Sequence, residues 1–174
     1  MSAPKNLSSA RMVATLFGVG YAKPASGTWA SALAVVLAIF LHGIGGFPML
    51  LVCTLAVTVL GFAVVTRDLT DRDPGDTDPS EIVIDEVAGQ WIAMCAPSAG
   101  FWFAGLDSWT FPWPGYVTAF LAFRLFDIWK PWFVGRADRR GDAAGVMLDD
   151  IYAGLMAAAV VIVAAGVYHG LIAR

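Results

Sequence analysis

The chain has 174 residues, of which 58% are hydrophobic and only 14% are charged, and its formal net charge at pH 7 is −3. Soluble globular domains carry about 45–50% apolar and about 25% charged residues, so this composition excludes most soluble classes. The abundance of large apolar residues excludes a disordered chain. An isoelectric point near 5.1 without a basic stripe argues against nucleic acid as a partner. We expect one integral membrane domain over residues 1–174.

The first half of the chain predicts two membrane-inserted helices. Residues 7–20 predict a short N-terminal interfacial helix, with an ordinary helix packed on the bundle as the alternative. Residues 24–66 contain no charged residue, and this run is too long for one membrane span of roughly 20 residues. Three glycines and a proline in residues 42–48 predict a turn. That turn separates a first helix near 28–42 from a second helix near 48–66.

The second half predicts three more inserted helices. Residues 67–80 contain five aspartates and predict a solvated loop. The third helix is expected to begin at a cap formed by Ser80-Glu81 and to end at Pro97. The fourth and fifth are expected within 112–132 and 151–173. The resulting fold class is an all-α polytopic membrane bundle with about five inserted helices, of which four or five are full spans.

Lysines and arginines indicate the orientation of these helices, because short cytoplasmic loops are enriched in both residue types. They precede helix one and follow helices two and four, whereas the turns at 43–47 and 98–112 have none. This pattern places the N-terminus in the cytoplasm and the C-terminus outside.

Seven charged residues fall within the predicted helices, where each costs roughly 2.5–3.5 kcal/mol on insertion scales and is by default a functional hypothesis. They are Asp85, Glu86, Arg124, Asp127, Lys130, Asp149 and Asp150. The predicted orientation places all seven in the cytoplasmic half of their helices. Residues 23–28 open helix one on the same side. Four distant segments therefore converge on one predicted site.

The spacing of these residues refines the prediction. Arg124 and Asp127 share a helical face, and Lys130 lies one turn further on. The pattern Asp-x-x-Ala-Gly occurs at both 85–89 and 150–154. A glycine one turn after each acid would allow two helices to approach closely.

The acids in this cluster outnumber the two cations and would repel one another. A bound divalent cation is the economical explanation for how their charge is neutralised, because carboxylate oxygens are ligands that Mg²⁺ prefers. The alternative is that buried ion pairs, Arg124 with Asp127 and Lys130 with Asp149 or Asp150, only fix the helix packing.

Two hydroxyl residues near the start of helix one are further candidates. Thr28 and Ser31 can present hydroxyl and backbone N–H groups to a phosphate at a helix N-terminus. Helix capping explains them nearly as well. His42 and His169 lie near the opposite membrane face and are assigned no catalytic role.

Four motifs in order make the chain resemble the phosphatidylglycerophosphatase A family of bacterial membrane phosphatases. They are PASGTWAS at 24–31, EIVIDEVAGQW at 81–91, FRLFDIWKPW at 123–132 and GVMLDDIYAG at 145–154. The first motif departs from the family pattern, because Ser26 replaces a proline and Ala30 replaces a glycine. The resemblance implies Mg²⁺-dependent hydrolysis of phosphatidylglycerophosphate to phosphatidylglycerol and inorganic phosphate. It also implies a place in glycerophospholipid biosynthesis at the cytoplasmic side of the bacterial inner membrane.

The resemblance also suggests roles for the site residues. Mg²⁺ is expected among Asp85, Glu86, Asp127, Asp149 and Asp150, with Asp85, Asp127 and Asp150 catalytic, and the phosphate is expected at Arg124, Lys130, Thr28 and Ser31. The nucleophile is a water activated by a carboxylate, or a carboxylate that attacks directly, with Asp85 or Asp150 in either role. The competing hypotheses are a small cation-coupled transporter that uses the same acids and a structural assembly protein. The sequence makes no prediction of the oligomeric state.

Overall fold

A computed structural model of the chain describes residues 8–72, 79–110 and 113–172, and every regular element in these ranges is helical. The elements are α1 (Ser9–Ala14), a 3₁₀ turn (Val19–Tyr21), α2 (Ser26–Thr70), a 3₁₀ turn (Pro79–Glu81), α3 (Ile84–Phe103), α4 (Trp113–Trp129), α5 (Trp132–Asp138), α6 (Ala143–Val167) and a π-helical turn (Tyr168–Ile172). The all-α prediction is confirmed. The stretches Ser26–Thr70 and Ala143–Gly170 are long and apolar enough to cross a membrane. The count of four or five full spans stays a prediction.

The first arm of α2, residues 26–44, runs parallel to α3. Near the start of both, Ser31 Oγ donates a hydrogen bond to Glu86 Oε2 at 2.6 Å. Further along both, Trp91 Nε1 donates to the carbonyl oxygen of Ala34 at 2.8 Å. The helical conformation then breaks at Gly45 and Gly46.

The second arm of α2, residues 47–70, runs antiparallel to α3. Its early residue Thr54 places Oγ1 3.7 Å from Sγ of Cys95, whereas a Cβ on the later Gly61 would lie 3.9 Å from Ile84 at the start of α3. The two arms therefore form a hairpin, as the sequence predicts. Cys53 and Cys95 are both free thiols.

Helix α3 departs from its predicted bounds at both ends. It begins after Val83 without a side-chain cap, because Ser80-Glu81 lies in a separate 3₁₀ turn. Pro97 lies inside the helix. A proline removes one backbone hydrogen bond from a helix, but Pro97 is buried and packs closely against Gly115 of α4.

The segment between α4 and α6 holds a helix that the sequence pattern does not predict, α5. Helix α6 also begins eight residues before the predicted position 151, because Asp142 caps it by accepting a hydrogen bond from the backbone N–H of Gly145 at 2.7 Å. Hydrogen bonds from Arg140 and from Gly145 lower the pKa of Asp142 to about 2. Asp149 and Asp150 consequently lie in the second turn of α6.

The prediction that the 67–80 aspartates are all solvated loop charges was wrong for Asp68. This residue lies in α2, is only 3% exposed, accepts a hydrogen bond from Arg72 Nε at 3.0 Å and lies 3.6 Å from Arg11 Nε. Residues 73–78 lie outside the described ranges.

The short helix α1 packs on the bundle through buried Ala10 and Ala14. This is the arrangement that the alternative to an interfacial helix predicts.

Helices α3 and α6 cross at Gly89 and Gly154. A Cβ on Gly89 would lie 2.5 Å from the carbonyl oxygen of Asp150, and a Cβ on Gly154 would lie 2.3 Å from the carbonyl oxygen of Gly89. The close approach predicted from the shared pattern is therefore confirmed. It places the acid that precedes each glycine at the same end of the two helices.

We expect Gly154→Ala to lower the free energy of unfolding by about 1–3 kcal/mol, because the added methyl group forces two backbones apart. Gly166→Ala is the matched control in the same helix, since a Cβ on Gly166 meets nothing within 4 Å. Thermal unfolding in detergent measures both. Equal melting temperatures for the two variants would contradict the close crossing.

Candidate functional site

The four predicted segments line one open cavity of about 800 Å³. The predicted site residues that line it are Thr28, Asp85, Glu86, Arg124, Asp127, Lys130, Asp149 and Asp150. Lys23, Ser80 and Glu81 also line it, and none of them was a predicted site residue. His42 and His169 are not among the lining residues; His42 is buried with Nδ1 2.7 Å from Ser98 Oγ.

Glu86 is the most closely held carboxylate of the cavity. Its Oε2 accepts hydrogen bonds from Ser31 Oγ and from Arg124 Nη1, each at 2.6 Å. The same Nη1 lies 2.9 Å from Asp127 Oδ2, which is the ion pair expected from the i, i+3 spacing. A Cβ on Gly27 would lie 2.0 Å from Glu86 Oε1, so a larger residue at this position would displace the carboxylate from where it lies. Ser31 thus supports a carboxylate and does not itself line the cavity.

Three carboxylates from three helices form a compact cluster. Oxygens of Glu86 on α3, Asp127 on α4 and Asp150 on α6 lie within 4.8 Å of one another. Oxygens that share one Mg²⁺ lie roughly 3–4 Å apart, because each is about 2.1 Å from the ion. Small inward movements of these side chains would therefore give three hard oxygen ligands, and the residues fit such an ion.

The remaining two predicted metal ligands have other partners. Asp85 Oδ1 accepts a hydrogen bond from the backbone N–H of Glu86 at 2.9 Å. Asp149 Oδ2 accepts one from Lys130 Nζ at 2.9 Å. Neither belongs to the three-carboxylate cluster, although both line the cavity.

Lys130 links α6 to α5. Helix α4 ends at Trp129, and Lys130 follows with a positive φ of 50°, from which its ammonium group reaches both Asp149 and Asp138 of α5. Burial alone would lower the pKa of Lys130, but the hydrogen bonds to Asp138 and Asp149 raise it above the ordinary value. Sequence reasoning missed Asp138 because it did not predict α5.

Comparisons with known proteins agree on one family. A family model described as Phosphatidylglycerophosphatase A matches residues 12–165. A Haemophilus influenzae protein named phosphatidylglycerophosphatase A is 32% identical over 157 residues, which cover 89% of this chain and 88% of that protein. An Escherichia coli K12 protein of the same name is 29% identical over 150 residues, covering 86% and 79% of the two chains.

A Bacteroides thetaiotaomicron protein with the provisional name phosphatidylinositol-3-phosphatase is 34% identical over 146 residues, covering 83% of this chain and 86% of that protein. No solved structure gives a significant match to this chain.

We expect Lys130→Met to lower the melting temperature at neutral pH, because it leaves Asp138 and Asp149 without their shared cation. A raised pKa means that Lys130 stabilises the fold fully below the ordinary lysine pKa of about 10.4 and loses this effect progressively as the pH rises from there through the higher folded value. The melting difference between wild type and variant should therefore persist to about pH 9 and shrink above about pH 10.4.

The control for this prediction is Arg136→Met, which removes an exposed cation of α5 that does not line the cavity. If Lys130→Met melts at the wild-type temperature at pH 7, the two ion pairs do not stabilise the fold.

Proposed function

Because this chain belongs to the phosphatidylglycerophosphatase A family and is therefore a phosphatase, we propose that it hydrolyses phosphatidylglycerophosphate to phosphatidylglycerol and inorganic phosphate. The observation that carries this proposal is the family match over residues 12–165, which includes every residue that lines the cavity. The reaction would be a step in glycerophospholipid biosynthesis. The inositol lipid in the name of the Bacteroides relative is a different headgroup on the same class of substrate, a phospholipid phosphomonoester.

We also propose that the cavity opens on the cytoplasmic side of the bacterial inner membrane. Two helices are apolar and long enough to cross a bilayer, and the cavity lies at the end of the bundle where the lysines and arginines between helices are concentrated. A multi-pass chain with a cytoplasmic N-terminus follows from this placement. The acyl chains of the substrate would remain in the bilayer.

Glu86, Asp127 and Asp150 are the residues that would hold Mg²⁺, since their oxygens form the compact cluster. When bound, the ion would neutralise charge on the phosphoryl oxygens and acidify a nearby water. Six carboxyl groups and three cations line the cavity, so an anionic phosphate needs such neutralisation to enter. Arg124, which lies beside this cluster, and Thr28, which also lines the cavity, would bind phosphoryl oxygens.

Asp85 is the cavity carboxylate we propose as the general base. One of its oxygens accepts the Glu86 amide hydrogen, and the other would accept a proton from an attacking water in the cavity that Asp85 lines. The water oxygen forms a bond to phosphorus, the bond from phosphorus to the glycerol oxygen breaks, and that oxygen takes up a proton. Asp149 instead holds Lys130.

The transporter alternative is not favoured. A transporter places ionisable groups near the bilayer midplane, with access from both sides. The family match is to phosphatases, and the charged groups that converge in this fold line a cavity at one end of the bundle.

Phosphate release from phosphatidylglycerophosphate in neutral detergent micelles tests the metal site. Wild type should require Mg²⁺ and lose activity in EDTA. Asp150→Asn replaces a charged carboxylate ligand with a neutral amide, so it should raise the Mg²⁺ concentration needed for half-maximal activity by about 10-fold to 100-fold. Asp107→Asn, in an exposed loop, is the control and should behave as wild type. Metal-independent release by wild type would contradict the proposed site.

The general base has its own test in Asp85→Asn. This variant should lower kcat by about 10²–10⁴-fold while its Mg²⁺ requirement stays within about twofold of wild type, because Asp85 lies outside the three-carboxylate cluster. Full activity in the folded variant would exclude Asp85 as the base. Trapping of a phosphorylated aspartate would show direct attack by a carboxylate.

A further inference from the structure

Three cations line the cavity, and two of them are already paired. Arg124 and Lys130 each contact two carboxylates. Lys23 forms no ion pair with any carboxylate in the ranges 8–72, 79–110 and 113–172. Among the described residues that line the cavity, Lys23 is therefore the cation available to an incoming anion without breaking an existing ion pair.

The segment that carries Lys23 is fixed across the mouth of the cavity. At one end a Cβ on Gly20 would lie 1.9 Å from the carbonyl oxygen of Glu81, so the two backbones are in close contact. At the other end Ser26 Oγ donates a hydrogen bond to the carbonyl oxygen of Ser80 at 3.1 Å. Lys23 lies between these attachments and is exposed. Its side chain therefore belongs to the rim.

The carboxylate cluster lies deeper than this rim. Glu86 and Asp150 are 9% and 3% exposed, and Glu86 is level with Ser31, in the second turn of α2. Lys23 precedes the first residue of α2 by three positions. The cavity thus offers an inner position suited to a metal-assisted phosphate and an outer position with one unpaired cation.

The proposed substrate carries two phosphate groups of different chemistry. Its terminal phosphomonoester is cleaved, whereas its phosphodiester, which joins the glycerol headgroup to diacylglycerol, survives the reaction. The acyl chains hold the phosphodiester at the level of the lipid headgroups, and a charge-assisted hydrogen bond from an ammonium group suits its oxygens.

We propose that Lys23 binds the phosphodiester that the reaction leaves intact and thereby favours lipids that carry both phosphates. Lys23 is thus a specificity-determining residue of the rim, and the inner carboxylates act on the phosphomonoester alone. This inference rests on the proposed function.

The test compares Lys23→Gln, Lys23→Arg and Arg136→Gln in neutral detergent micelles. Arg136→Gln is the matched control, because it removes one exposed positive charge that does not line the cavity. Lys23→Gln should raise KM for phosphatidylglycerophosphate by about fivefold to tenfold, with kcat within about twofold of wild type. Lys23→Arg keeps the positive charge and should have a KM close to that of wild type. Arg136→Gln should also leave KM unchanged.

Inhibition by the two reaction products distinguishes the inner from the outer position of the cavity. Phosphatidylglycerol carries only the phosphodiester, whereas inorganic phosphate has no phosphodiester. Lys23→Gln should weaken inhibition by phosphatidylglycerol by about the same factor as KM rises and leave inhibition by inorganic phosphate unchanged. Weakened inhibition by inorganic phosphate alone would place Lys23 on the phosphomonoester, and equal weakening for both products would show a general charge effect; either result would overturn the inference.

A KM for Lys23→Gln equal to that of Arg136→Gln would also overturn the inference while leaving the proposed function intact. Wild-type protein that releases no phosphate from phosphatidylglycerophosphate would overturn the proposed function itself, and this inference with it.

Discussion

Buried negative charge is the constraint on which this structure depends. Glu86, Asp149 and Asp150 are each less than 10% exposed, and a buried carboxylate is tolerated only when cations and hydrogen-bond donors surround it. Arg124 supplies that compensation between α3 and α4, and Lys130 supplies it between α6 and α5. The cations therefore join helices as well as neutralise acids, so the functional hypothesis and the structural alternative describe the same contacts.

Small residues also help to accommodate the buried charge, because ion pairs and hydrogen bonds form only when the helices approach closely. Gly27 leaves space for Glu86, and the contact between Gly89 and Gly154 brings α3 and α6 together directly beyond their acids. Because glycine has no side chain, the backbones of α3 and α6 come into direct contact at these positions. Gly27 thus sets the space around the Glu86 carboxylate, whereas Gly89 and Gly154 set the separation of the two helices that carry Glu86 and Asp150.

Periodicity and charge in the sequence predict the parts of the fold that repeat along a helix. The hairpin of α2, the pairing of Arg124 with Asp127 and the close helices at Gly89 and Gly154 all follow from spacing. Pro97 misleads because a proline removes only one backbone hydrogen bond from a helix, and α3 continues past it to Phe103. Asp68 misleads for a similar reason, since only the fold brings Arg11 near it.

Sequence patterns predict the candidate site only in part as well. Its carboxylates are recognisable because charge is rare in an apolar helix, whereas Asp138 stands in a polar segment where charge is ordinary and Lys23 is a lone cation before the first long helix. Asp138 becomes relevant only through α5, and Lys23 only through the contacts of Gly20 and Ser26 with the segment before α3. Tertiary contacts bring such residues to the site, and a local sequence pattern does not reveal those contacts.

The ion pair between Glu86 and Arg124 joins residues 38 positions apart in the chain, and this has a consequence for biosynthesis. The ribosome completes α3 well before it adds the guanidinium group that α3 requires. A nascent chain that stops short of α4 leaves Glu86 without its cation, and an unpaired buried carboxylate is costly. Stable packing of α3 is therefore coupled to synthesis of α4, and the carboxylate cluster is completed only when Asp150 arrives with α6.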